Sequence, residues 1–265
     1  MNGLRVVVLI GFGIAASGCI NSASLIKIKP DGSGTIEQTM LVNMAALKGL
    51  MAGTGGQFKQ SGGVLNEAEF ERAGERMGVR PVSLTPMTEG GFEGAKAIYA
   101  FDDISKVRVD QDPQMTGPAG GPSARTAASN PIRFGLVRQG ATSVLTITVD
   151  ENAADAATAR AQDAPNLDSI DPAMMQMIKT MFDGFRILID VEVDGKIVKT
   201  NADYVSGSRI TLLEVDMAGV FADEAKLRVL QSKVQPGVSV SELLPYLKDI
   251  KGVKVNHPSI TIEYR

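Results

Sequence analysis

Two sets of side chains in this chain of 265 residues combine chemically useful types with a regular spacing. Asp190, Glu192 and Asp194 alternate along one segment, so a strand would carry all three carboxylates on one side. Glycoside hydrolysis needs two carboxylates about 5–10 Å apart across a cleft, a spacing this row offers. The row equally reads as a solvated strand face, and with no tryptophan and 5% aromatic residues the chain has little to stack against a sugar. Met174, Met175, Met177 and Met181 place four of the 12 methionines on one segment, and thioethers are soft ligands suited to copper(I). At helical spacing, however, Met174, Met177, Ile178 and Met181, continued by Phe182, form one apolar stripe. That stripe suits core packing, or an adaptable groove that takes a lipid tail or a partner.

Two further features carry less chemistry. The segment from Asp31 to Glu37 resembles the middle of an EF-hand calcium loop, but aligning Gly34 with that loop's glycine puts Lys29 at the first ligand position. The same alignment puts Met40 where a bidentate glutamate belongs, so a structural turn is expected. His257 is the single histidine, set between Asn256 and Pro258, and reads as a surface turn residue. Neither a nucleophile elbow, nor an H-E-x-x-H pair, nor a phosphate-binding loop occurs in the sequence. The expectation is a protein with no catalytic residues, no metal and no cofactor.

Composition narrows the function class. There are 27 basic and 30 acidic side chains, a net charge of -3, and no basic run, which argues against a nucleic-acid partner. Hydrophobic residues at 44% suffice for a sizeable core. The one cysteine, Cys19, excludes an internal disulfide and a Cys-rich zinc site.

That cysteine ends a pattern of its own. Arg5 is followed by an apolar and glycine stretch over 6–16 and then by Ser17, Gly18 and Cys19, the order of a secretory signal. The stretch is too short to anchor in a bilayer, for which about 20 residues are needed. Ala16-Ser17-Gly18-Cys19 resembles a bacterial lipobox, with alanine where leucine is usual. The resemblance implies cleavage between Gly18 and Cys19, acylation of Cys19 and a membrane partner held through the lipid. Ile20 after the cysteine, by resemblance to lipoproteins of two-membrane bacteria, implies delivery to the outer membrane, facing the periplasm. Residues 1–18 are then a signal peptide, 19–24 a lipidated tether and 25–265 the folded part. Removal of Arg5 leaves 26 basic against 30 acidic side chains, a balance of −4.

The elements that must position these residues read as hairpins joined by helices. Strands are expected on both sides of the Pro30–Gly34 turn, over 79–87 and 92–101 around Gly90-Gly91, and over 132–137 and 144–149 around Gln139-Gly140. Phe185 to Val193 alternates, and Asp194-Gly195 predicts a hairpin back through Ile197 and Val198. Further strands are expected over 210–215 and at Ile260, Ile262 and Tyr264. Helices are expected over 44–51, from an Asn66 cap to Met77, from an Asp171-Pro172 start to Phe182, over 221–230 and over 240–247. Residues 110–131 hold four prolines and three glycines and read as a mobile loop, a possible division between two lobes.

The fold class is therefore α+β, a mainly antiparallel sheet built from hairpins with helices packed on one face. In this layout residues 20–265 are similar to the LppM-type domain implicated in envelope lipid binding. That resemblance implies a carrier or sensor of a hydrophobic ligand, beside the broader reading of a non-catalytic envelope lipoprotein. A carboxylate-based hydrolase is the remaining alternative.

Overall fold

A computed structural model describes residues 20–44, 66–110, 131–149, 170–182, 184–234, 238 and 240–265. The first alternating segments set the plan. β1 (Ile20–Ile28) and β2 (Gly34–Asn43) pair antiparallel, so that Ile26 meets Ile36 on one face while Leu25 meets Glu37 on the other. Asp31 fastens the turn by accepting from the Ser33 amide at 2.9 Å and the Ser33 hydroxyl at 2.6 Å. The helix α1 (Glu67–Met77) starts where Asn66 accepts from the Glu69 amide at 3.0 Å and stops at Gly78 in the left-handed region. It buries Phe70 and Met77, with the Phe70 ring 4.9 Å from that of Tyr99. Burial pushes the Tyr99 hydroxyl up to about 12.

The remaining elements follow in chain order. β3 (Arg80–Glu89) and β4 (Phe92–Phe101) form a hairpin. β5 (Arg108–Asp110) precedes a second hairpin of β6 (Pro131–Gln139) and β7 (Thr142–Val149). Next come α2 (Pro172–Met181), β8 (Arg186–Val193), β9 (Ile197–Thr200), β10 (Val205–Ser206) and β11 (Arg209–Asp216). The chain closes with α3 (Met217–Val220), α4 (Glu224–Lys233), α5 (Val240–Lys248), β12 (Val253–Val255) and β13 (Ser259–Tyr264).

These strands make two sheets. The larger runs β10-β11-β8-β1-β2-β4-β3, with β12 also on β11, and the smaller runs β5-β6-β7-β13-β9. β1 and β8 are parallel, and the other described pairs are antiparallel. One contiguous core joins the two sheets: Ile26, Ile36 and Val191 of the larger meet Ile132, Leu145 and Ile262 of the smaller. Each such side chain stabilises the fold by about 1.5–3 kcal/mol when fully buried. Tyr264 adds a link by donating its hydroxyl to the Lys29 carbonyl at 3.1 Å.

The class is α+β and mostly antiparallel, but four expectations change. The inner face of the larger sheet was expected to meet helices; it meets mainly the smaller sheet, with α1 beside it. Alternating hairpin strands offer an apolar face to any apolar partner, and a second sheet made of the same hairpins fills that role. The turn at Asp194-Gly195 is not a hairpin, because β8 and β9 belong to different sheets. It is a crossing in which the Asp194 amide donates to the Ile28 carbonyl and the Lys196 amide donates to the Arg265 carbonyl, each at 2.8 Å. A Cβ at Gly195 would stand 2.8 Å from the Arg265 oxygen, which explains the glycine without a hairpin.

The expected tether over residues 20–24 is the third change. These residues form the first half of β1, with Asn21 paired to Leu41 on one side and Arg186 on the other. Asn, Ser and Ala have weak strand preference, yet a central strand bonded on both edges overrides it. The helix expected over 221–230 begins later, at Glu224, because Asp223 is its cap and accepts from the Lys226 amide at 3.2 Å. The signal peptide with Gly18 and Cys19, all but Met44 of the helix expected over 44–51, and residues 111–130 of the proline-rich loop lie outside the described residues. On either side of that loop, Asp110 pairs with Pro131, and Val109 and Ile132 share the common core.

Candidate functional site

The methionine-bearing helix α2 is well started: Asp171 accepts from the Ala173 amide at 2.7 Å, and Pro172 takes the first helical position. Its stripe does not enter the core. Met174 and Met177 are 41% and 55% exposed. Ile178 and Phe182 are half-buried, and the Met181 side chain lies outside what is described. Amphipathic spacing tells a helix which face seeks apolar contact, not where that contact is found, and here the core is already filled by the second sheet.

The helix is held at its C-terminal end. The Phe182 ring lies 5.9 Å from the rings of both Phe185 and Phe221. Lys179 Nζ pairs with Glu224 at 2.7 Å, which ties α2 to the start of α4. Phe185 in turn packs, as does Met44, against the buried pair Ile20 and Val42. The aromatic group and the end of α2 therefore stand at the end of the larger sheet where β1 begins, one residue after Cys19.

The carboxylate row lies on the outer face of the same sheet, and the structure divides it. Asp190 is 5% exposed, so the expectation of a solvated face fails at this residue. Its Oδ1 has no hydrogen-bond partner, while Oδ2 stands 3.8 Å from Arg209. Arg209 also pairs with Glu192 at 2.6 Å. Asp194 lies beyond the end of β8 in the crossing turn and is exposed. A single guanidinium thus gathers Asp190 and Glu192, and Asp194 is apart from them.

Two ion-pair groups escape sequence reading, because cross-strand register creates them. Glu37 lies between Lys27 at 2.5 Å and Lys96 at 2.7 Å, and Glu214 between Arg186 at 2.7 Å and Lys254 at 2.6 Å. The only signal was a charge at alternate outward positions of several strands. The hydrogen bonds from Lys27 and then Lys96 hold the Glu37 carboxyl below the usual glutamate range. A carboxylate with a lowered folded pKa stabilises the fold above the unfolded value, and that contribution is lost as pH falls through the folded value. Glu37→Gln is therefore expected to destabilise by about 1 kcal/mol at neutral pH, since partly exposed pairs are screened. The difference from wild type should shrink below about pH 4, the unfolded glutamate range. Thermal melts of both proteins across pH check this, and a difference independent of pH would refute it.

Elsewhere, His257 is exposed and its Nε2 stands 3.3 Å from Asp203, which also pairs with Lys248 at 2.8 Å. The Asp31–Glu37 segment is a turn running into β2. Gly34 is needed there for close packing: an added Cβ would lie 1.9 Å from the Lys27 carbonyl oxygen. Among the described residues no group of three or more His, Cys, Asp or Glu side chains could hold a metal ion. No helix among them is long and apolar enough to cross a membrane.

No family model matches the chain, and no curated protein matches it. Among solved structures, it is similar to the folded domain of the LppM protein of Mycobacterium tuberculosis, determined by NMR. The identity is 11%, with 94% of this chain and 91% of that one covered and a TM-score of 0.36. A likeness of that level assigns no family and identifies no shared residue.

Proposed function

We propose that the protein is a lipid-anchored component of the cell envelope, acylated at Cys19, whose α+β body has a non-catalytic binding or structural role. The observation that carries this reading is the N-terminal order: Arg5, the apolar stretch over 6–16, then Ala16-Ser17-Gly18 before the chain's one cysteine. Ile20 as the second mature residue supports the outer membrane, periplasmic face. Radiolabelled palmitate is expected to enter the wild type and not Cys19→Ala, and equal labelling of the two would refute the reading. A second reading, a carrier of a hydrophobic ligand at Met174, Met177, Ile178, Met181 and Phe182, draws on the exposure of the first two of these side chains.

A further inference from the structure

At the end of the larger sheet where β1 begins, a small apolar cluster separate from the main core buries Ile20 and leaves Phe185 half-buried. Phe182, Phe185 and Phe221 gather there beside Ile20, and α2 leaves that point with Met174 and Met177, 41% and 55% exposed. Both methionines lie within about 7.5 Å of Lys179 along the helix axis. Lys179 itself is fixed to Glu224 at this end.

On the acylated-cysteine reading, on which this inference rests, the lipid-bearing residue is joined directly to Ile20, about 3.8 Å away along the backbone. Ile20 is already paired with Val42 in the sheet. Even a ten-residue flexible linker would let the body stand off by about 17 Å, and no such linker exists between Cys19 and β1. The anchor therefore brings this end of the sheet to the headgroups.

We propose that the Ile20 end of the larger sheet, with Met174 and Met177 of α2, is a membrane-contact face resting on the bilayer that holds Cys19. Methionine suits such a surface because its unbranched thioether adapts to irregular apolar neighbours. The mature side-chain balance of −4 offers no general attraction to anionic headgroups, so the contact is apolar.

The absence of tryptophan makes the test direct, since Met177→Trp gives a single indole emitter. Mature protein purified from membranes in detergent, its acyl mass confirmed, would be reconstituted into phosphatidylcholine vesicles with plain or brominated chains. The indole emission of Met177→Trp should move to shorter wavelength on reconstitution. It should lose about half its intensity with brominated chains, as for a side chain about 5–10 Å into the headgroup–acyl boundary. Val137→Trp is the comparison: Val137 is 58% exposed, and its neighbour Arg138 donates to the Asp31 carbonyl in the turn at the far end of β1. That turn is about 26 Å from Ile20, and emission there should not change. Met174→Trp repeats the measurement if Met177→Trp does not give the wild-type circular dichroism.

Acylated protein that floats with vesicles while the Met177→Trp and Val137→Trp variants respond alike would overturn the proposal. So would an emission from Met177→Trp already at short wavelength before vesicles are added and unchanged by them, since the face is then covered by the chain itself or by a carried lipid. Protein without acyl mass would instead remove the anchor reading, and this inference with it.

Discussion

Alanine at position 19 is expected to move the protein from the membrane pellet into the wash fractions, with little left behind. Burying acyl chains is worth about 0.8 kcal/mol per methylene, so two long chains supply about 20 kcal/mol of membrane affinity. Exposed Met174 and Met177 could add about 2 kcal/mol each by burial, too little to hold the body at a bilayer unaided. The two contributions differ so much that the outcome is close to all or none. Fractionation followed by immunoblotting checks this on Cys19→Ala protein whose N-terminal mass shows the signal segment removed; such protein staying in the pellet would contradict it.

Gly34→Ala is expected to cost the fold about 3 kcal/mol, the upper end of what overpacking usually does. The added Cβ would lie 1.9 Å from the Lys27 carbonyl oxygen and 2.6 Å from the Phe101 ring. The first of these atoms is backbone of the central strand β1 and cannot swing away as a side chain would. Gly135→Ala is the informative comparison, because nothing stands within 4 Å of a Cβ there. It should change stability by less than about 1 kcal/mol. Denaturant melts of the two variants settle the order, and equal stabilities would contradict the packing described for the first turn. Added calcium should rescue neither variant, since Gly34 is required by strand contact and not by a cation loop.

The sequence was most informative where local chemistry decides the structure. The Asn66 and Asp171 caps, the Gly90-Gly91 and Gln139-Gly140 turns and the buried face of Ile260, Ile262 and Tyr264 all follow from residues within one or two turns of each other. What it hid depends on partners far along the chain. Residues 20–24 look like a tether until β2 and β8 bond them from both edges. Asp194-Gly195 has the residues of a hairpin, but the Ile28 and Arg265 carbonyls turn it into a bridge between sheets. The methionine stripe was legible as apolar, whereas its exposure depends on a second sheet having taken the space a core helix would need. Asp190 and Glu192 share Arg209 because β11 lies beside β8, a register that periodicity within one strand cannot contain.

The mass of the mature N-terminal peptide from membrane-extracted protein decides whether the Cys19 sulfur is acylated. The peptide is expected to start at Cys19 and to carry the added mass of a diacylglyceryl group. A peptide starting at Met1, or an unmodified cysteine on protein recovered from the membrane, would contradict it.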